Sequence, residues 1–306
     1  MRMSRVQLPC AIALSFVGLL LLASPILAQE GESAKELFMQ GNEYFTERAL
    51  DKAALSYERC VALEPTYKEA WYNLGVVYGR QRRFSREIKA YRKALSLDQA
   101  YGRAHYNLAL AYEDSDRQGE ALAHYVKVIE LDEGALDAWI NRAIVEVRLG
   151  EFEAAITSYR RALAIDATQA DVWYNLGVAY ARQSDVISDA PQQSELNRQE
   201  REAYERALAL QPGYFKAWYN LAVAFRRAGE LDREIATYLK ALEVREEYPQ
   251  ALYNLAYAYE EVGQVDEAKA LWKRYLKASE KRPTEKTYIA IAKRELSRLE
   301  EGEPRQ

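Results

Sequence analysis

Residues 70–78 read Ala-Trp-Tyr-Asn-Leu-Gly-Val-Val-Tyr, and varied copies of this phrase run down the chain. Ala104-His105-Tyr106-Asn107-Leu108-Ala109 begins 34 residues later, and Ala138-Trp139-Ile140-Asn141-Arg142-Ala143 begins 34 after that. Val172-Trp173-Tyr174-Asn175-Leu176-Gly177, Ala217-Trp218-Tyr219-Asn220-Leu221-Ala222 and Ala251-Leu252-Tyr253-Asn254-Leu255-Ala256 continue the series. A second phrase alternates with the first: Ala90-Tyr91-Arg92-Lys93-Ala94-Leu95, then Ser158 to Leu163, Ala203 to Leu208 and Thr237 to Leu242. Self-similarity at a fixed period of roughly 20–50 residues marks stacked repeat units. The 306 residues therefore read as one elongated array rather than as two globules.

With Trp71 set as position 4 of a unit, apolar residues fall at positions 4, 7, 8 and 11 and again at 20, 24, 27 and 28. Spacings of three and four place each set on one face of a helix, so each unit is two amphipathic helices joined by a short turn. Position 8 is Gly or Ala throughout (Gly41, Gly75, Ala109, Ala143, Gly177, Ala222, Ala256). Position 27 is small in most units (Cys60, Ala94, Ala162, Ala207, Ala241). Small residues there let the helix axes approach while the rings at 4, 11 and 24 fill the space beside them. Each large side chain so buried contributes about 1.5–3 kcal/mol. One hairpin cannot cover its own apolar face, so neighbours must stack.

This pattern resembles the tetratricopeptide repeat, with Trp71, Leu74, Gly75, Tyr78, Tyr91, Ala94 and Leu95 at its key positions. The resemblance implies an all-α fold, an α-solenoid of helix-turn-helix units forming a right-handed superhelix. Seven units are expected: 34–67, 68–101, 102–135, 136–169, 170–214, 215–248 and 249–282, after a linker at 29–33. A capping helix over 283–301, opened by Pro283, would precede a short tail at 302–306. Ile289 and Ala290 would sit in register with positions 7 and 8, and Lys286, Lys293, Arg294 and Arg298 would give the cap a solvated face. Unit four departs from the pattern with Arg142 and Glu146 at apolar positions, and unit seven with Trp272 and Tyr275 at positions 24 and 27. Unit five carries 11 extra residues, and Asp, Ser and Pro within 183–193 mark a loop, with a second helix beginning at Ser194 or Asn197.

The first 28 residues are a basic start (Arg2, Arg5), an apolar run from Ala11 to Ala23, and Pro25-Ile26-Leu27-Ala28. That is the layout of a secretory signal, with cleavage expected after Ala28; the alternative is an uncleaved anchor over 11–27. Either implies export to a bacterial periplasm or cell envelope. Net charge is −4 for the whole chain, so no basic nucleic-acid footprint exists. Tyr (23) far outnumbers Phe (7), as half-buried rings with a polar tip require. Cys10 lies in the leader, which leaves Cys60 as a lone thiol.

No catalytic set, metal-ligand cluster or phosphate loop stands out, so neither enzyme activity nor a cofactor or metal is expected. His105 replaces Trp at position 4 and reads as packing; His124 reads as a surface residue. The prominent signal is a ladder at position 6: Asn73, Asn107, Asn141, Asn175, Asn220 and Asn254. Asn is a mediocre helix former, and its amide offers one acceptor and two donors to a peptide backbone. Bonds to neighbouring repeats are the other use for it. By resemblance the concave groove would also carry Tyr72, Tyr106, Tyr174, Tyr219 and Tyr253 at position 5. Val76, Leu110, Ile144, Val178 and Val223 would follow at position 9, and Arg80, Arg148, Arg182 and Arg227 at position 13. Six amides at a net ~0.5–1.5 kcal/mol each do not overcome an association cost of ~4–15 kcal/mol by much, so a bare peptide would bind at roughly micromolar affinity.

The resemblance also bears on a carboxylate-capturing subset of the family. Its five positions fall here on Phe38, Asn42, Asn73, Arg103 and Asn107, which lack the first Lys and the last Arg, so that mode is not expected. Glu87, Glu200 and Glu234 at position 20 occur in units with Arg at position 13, which suggests an Arg–Glu pair inside each hairpin. The functional reading is a non-enzymatic interaction scaffold of the envelope that binds an extended segment of a protein partner in its groove. Its rivals are a scaffold docking folded partners, or itself, through the convex face or ends, and a regulatory subunit of an envelope enzyme.

Overall fold

The computed structural model describes residues 32–280, 282 and 285–303. The leader, its cleavage point and Pro283 lie outside them. Fifteen helices are described: α1 (Ala34–Thr46), α2 (Leu50–Leu63), α3 (Lys68–Arg80), α4 (Phe84–Leu97), α5 (Gly102–Asp114), α6 (Gln118–Leu131), α7 (Leu136–Leu149), α8 (Phe152–Ile165), α9 (Ala170–Val186), α10 (Ala190–Leu210), α11 (Phe215–Arg227), α12 (Leu231–Val244), α13 (Pro249–Glu261), α14 (Val265–Ser279) and α15 (Lys286–Glu300). Each helix packs on the one before and the one after it, so α1/α2 through α13/α14 are consecutive hairpins in an all-α solenoid. The first helix begins with a capping box, Ser33 Oγ accepting from the Glu36 amide and the Glu36 carboxylate from the Ser33 amide.

The turn inside six of the hairpins needs one residue of left-handed backbone. Gly150, Gly229 and Gly263 supply it, and so do Arg48, Arg82 and Asp116, with φ near 60°. A side chain there is disfavoured by ~1–2 kcal/mol. The apolar stripes meet between the helices as expected. Tyr57, Tyr91, Tyr125, Tyr204 and Tyr238 are buried at position 24. A methyl group added at Gly75 would lie 2.5 Å from the Tyr91 ring, and Gly41 and Gly177 stand in the same relation to Tyr57 and Tyr204. In four units position 4 anchors the hairpin to the preceding turn, with Trp71, Trp139, Trp173 and Trp218 donating Nε1–H to the carbonyls of Pro65, Glu133, Ala167 and Pro212 at 2.8–3.0 Å.

Four expectations need correction. The 183–193 segment is mostly helix: α9 runs through Val186, and α10 starts at Ala190 rather than at Ser194 or Asn197. Asp189 caps α10 by accepting from the Gln192 amide, with Pro191 in the first turn, where the missing N–H costs nothing. Ser184 and Asn197 bond across the extension at 2.7 Å. The composition that marks a loop is here the chemistry of a cap. In the cap helix α15, Ile289 packs on the core, but Ala290 is exposed; Ala292 and Leu299 are buried instead. Arg298 is not solvated: it is held between the buried carboxylates of Glu260 and Glu295. In α7, Arg142 bonds Glu146 at 2.8 Å and Ser158 donates to the other carboxylate oxygen at 2.7 Å. A buried polar cluster thus replaces the apolar pair. His124 is half-buried, 2.8 Å from His105 through their Nδ1 atoms and stacked on Tyr112. Burial and His105 push its pKa down to about 4. Trp272 and Tyr275 are fully buried against α15, and Cys60 is buried with its thiol pushed up to about 11 by desolvation.

Candidate peptide-binding groove

The first helices of the hairpins, α1 to α13 by odd numbers, stand side by side, and positions 5 and 6 join them. Asn107 Nδ2 donates to Tyr72 Oη and Asn141 Nδ2 to Tyr106 Oη, both at 2.9 Å. Asn220 reaches Tyr174 Oη at 3.2 Å, and Asn254 reaches Tyr219 Oη at 3.2 Å and Tyr238 Oη at 3.0 Å. Each rung therefore links the Asn of one first helix to the Tyr of the preceding one. The rings are themselves fixed: Tyr72 leans on Tyr91 and Tyr101, Tyr174 on Tyr204 and Tyr214, and Tyr219 on Tyr238 and Tyr248, at centroid distances of 4.9–5.8 Å. Tyr253, at the C-terminal end, has no following Asn and sits among Tyr257, Trp272, Tyr275 and Tyr288.

Two rungs differ because the preceding first helix lacks a tyrosine. Before Asn73 stands Phe38, and Asn73 bonds Asn42 Oδ1 at 3.0 Å and Tyr57 Oη at 3.3 Å instead. These residues, with Phe45, Thr46 and Val76, line a pocket of about 230 Å³. Before Asn175 stands Ile140, and Asn175 makes no hydrogen bond among the described residues. Its half-buried amide keeps two donors and an acceptor free.

The position-13 arginines divide in the same way. The Arg80 guanidinium lies 4.6 Å from the Phe45 ring centroid. Arg148 bonds Glu113 at 2.6 Å, and Arg227 bonds Glu200 at 2.5 Å and approaches Asp185 at 3.6 Å. Arg182 is exposed and has no partner among the described residues. Residues 175 and 182 are two turns apart on α9, on one face. Ile140, Ile144 and Val147 on α7 and Val178 on α9 are partly buried apolar residues of these two helices. The unpartnered amide, the unpartnered guanidinium and this apolar strip lie together on α7 and α9. The Arg–Glu pair expected within each hairpin is corrected as well. Arg227 reaches back to the preceding unit, Arg226 rather than Arg227 bonds Glu234, and Arg80 does not bond Glu87.

Family models of tetratricopeptide repeats match residues 41–81 and 145–184, 68–101 and 102–134, 201–251, and 237–270. The chain belongs to the tetratricopeptide repeat family. Proteins of this family bind protein or peptide partners, and their fold is a typical non-enzymatic interaction scaffold. Among solved tetratricopeptide structures, the C-terminal part of a repeat protein from Cytophaga hutchinsonii superposes with a TM-score of 0.67 at 16% identity, covering 81% of this chain and 97% of that one. YrrB, a repeat protein with an unusual peptide-binding site, superposes at 0.57 with 17% identity, covering 66% and 98%. MamA superposes at 0.51 with 25% identity, covering 56% and 95%. No curated protein matches the sequence. Sequence alone misses which ladder residues are spent on the framework. The signal was present, because a rung forms in the Tyr-then-Asn manner only where the preceding unit has Tyr at position 5.

Proposed function

We propose that this protein is a seven-unit tetratricopeptide scaffold, exported to the bacterial cell envelope, that holds an extended segment of a protein partner in its concave groove. The observation that carries the reading is the break in the Tyr–Asn ladder. Asn175 and Arg182 are left with unspent hydrogen-bonding capacity beside the apolar strip of α7. The half-buried amide of Asn175 has no partner among the described residues, and a bound backbone would supply both a donor and an acceptor to it. Export rests on the n-region, apolar run and small-residue site of the first 28 residues.

The test uses Ile140→Tyr, which supplies the missing hydroxyl to Asn175 and fills the strip. The full chain and this variant serve as paired baits against an extract of the producing cells, with circular dichroism to confirm folding. A partner retained by the natural chain and lost by Ile140→Tyr is the expected result. Equal capture by both would overturn the groove as the site. Detection of the protein in the cytoplasmic fraction with its first 28 residues intact would overturn export.

The convex reading has an observation of its own. Pockets of about 610, 390 and 510 Å³ open between successive second helices, floored by Trp71, Trp173 and Trp218. If a partner docks there, Trp218→Ala removes capture and Ile140→Tyr does not.

A further inference from the structure

Three glutamates occupy position 20, the first turn of a second helix: Glu87 on α4, Glu200 on α10 and Glu234 on α12. All three are buried, at 8%, 1% and 2% exposure. Two of them hold a guanidinium. Glu200 takes Arg227 of the next first helix at 2.5 Å. Glu234 faces an acid at the equivalent place, Glu261, and Arg226 lies between the two, 3.3 Å from Glu234 and 2.6 Å from Glu261.

Glu87 repeats the second arrangement with the cation left out. The residue of the next first helix that corresponds to Glu261 is Asp114, again an acid. The residue that corresponds to Arg226, at position 12 of its own hairpin, is Gly79. Glu87 has no hydrogen-bond or ion-pair partner among the described residues, and its Oε2 is buried and unsatisfied. Its carboxylate lies over Gly79, with Oε1 2.5 Å from where a Cβ would stand. Arg80, next to Gly79 in sequence, is turned away onto Phe45, and Arg86, next to Glu87, lies over the Tyr78 ring. Burial raises the carboxyls of all three glutamates. Arginine acts against that at Glu200 and Glu234, whereas Asp114 adds to it at Glu87. Gly79 and Asp114 stand at positions 12 and 13, which the groove reading assigns to the inner wall, and Asp114 is exposed.

We infer that Glu87 and Asp114, above the bare backbone of Gly79, form a seat for one guanidinium of the partner, an arginine side chain carried by the segment in the groove. This rests on the groove reading and adds a chemical requirement to it: the segment is basic at the point where it passes between α3 and α5. The seat reproduces from outside the contact that Arg226 makes from inside between Glu234 and Glu261. A planar guanidinium can bond two carboxylates at once, and an ammonium less well.

The test uses the full chain with ¹⁵N-labelled amides and the tripeptide Ac-Ala-Arg-Ala-NH2 as probe. Ac-Ala-Gln-Ala-NH2, Ac-Ala-Lys-Ala-NH2 and calcium chloride serve as the comparison arms. The arginine probe is expected to shift the Gly79 and Asp114 amide signals saturably with a roughly millimolar Kd. Glu87→Gln should weaken this about tenfold. Gly79→Arg, which builds the missing cation into the chain, should abolish the response and raise Tm. Glu87 moves aside there at little cost, because only the end of a flexible side chain is displaced. No saturable shift with the arginine probe, an equal shift with the glutamine probe, a stronger response to calcium, or undiminished binding by Glu87→Gln would each overturn the seat. The two readings fail separately. A cellular partner lost by Ile140→Tyr but kept by Glu87→Gln removes the seat and leaves the groove, and the tripeptide result stands whatever the capture comparison gives.

Discussion

Ile140→Tyr is expected to stabilise the array while closing its groove. The new ring enters the place that Tyr106 occupies one unit earlier. There Tyr106 packs on Tyr125 at 5.9 Å and accepts from Asn141 at 2.9 Å; the new ring would find Tyr159 and Asn175 in the equivalent positions. A net hydrogen bond contributes ~0.5–1.5 kcal/mol, and an aromatic pair adds about the same beyond its buried area. The sum is about 1–3 kcal/mol. For an array of this length each kcal/mol moves Tm by roughly 2–4 °C. The assay is urea unfolding of the natural chain, Ile140→Tyr, Asn175→Ala and the double variant, followed by circular dichroism. The cycle isolates the new Tyr–Asn term, which should be about 1 kcal/mol. Asn175→Ala by itself should cost little, since its amide holds nothing in the free protein. A zero coupling energy, or an Asn175→Ala loss as large as that of Asn141→Ala, would refute the idea that the ladder is broken at this rung.

Other consequences follow from single contacts. Arg142→Ala leaves the buried Glu146 carboxylate with Ser158 alone, and should cost about 3 kcal/mol in urea unfolding; replacing Arg142 and Glu146 together by Leu should recover most of it. Arg82→Gly removes a side chain from a φ of 58° and should raise stability by about 0.5–1 kcal/mol, read as a rise in Tm. Burial, helped by Asp114, holds Glu87 up at about 7, against an ordinary value of 4.5. Between those values the folded chain keeps a proton that the unfolded chain has released, so this group makes stability fall as pH rises from 4.5 through 7. Glu87→Gln should therefore be more stable than the natural chain at pH 8, by on the order of 2 kcal/mol, with the difference shrinking toward pH 5. Urea midpoints at the two pH values check the sign.

The array was legible in the sequence because its period repeats the same packing problem. Gly41, Gly75 and Gly177 at position 8 each face a position-24 Tyr, and every Trp at position 4 meets the turn before it. Where one residue has two structural uses, the pattern gave no choice between them. Asp189 and Pro191 mark a loop or cap a helix equally well, and they cap α10. Glu at position 20 and Arg at position 13 recur together, yet the sequence does not say whether the pair closes within a hairpin or across to the next one. The structure has it across, for Arg227 and Glu200. His124 looked superficial because it precedes the buried Tyr125. His124 instead bonds His105, which stands where other units have Trp, and stacks on Tyr112, and only the packing reveals that. The ladder itself was legible as a recurrence. Its division into spent and unspent amides depends on residue 140, one unit away.

The central claim is that the partner lies along α7 and α9, and a photo-crosslinking residue at Val178 tests it most directly. Val178 stands between Asn175 and Arg182 on α9, where the proposed groove would run. The same residue placed at Ser96, on the outer side of α4, serves as the control. In the producing cells, a crosslinked species that forms from position 178 and not from position 96, and that disappears when Ile140→Tyr is added, is the predicted result. Crosslinking from position 96 with none from position 178 would contradict the account and move the partner to the convex face.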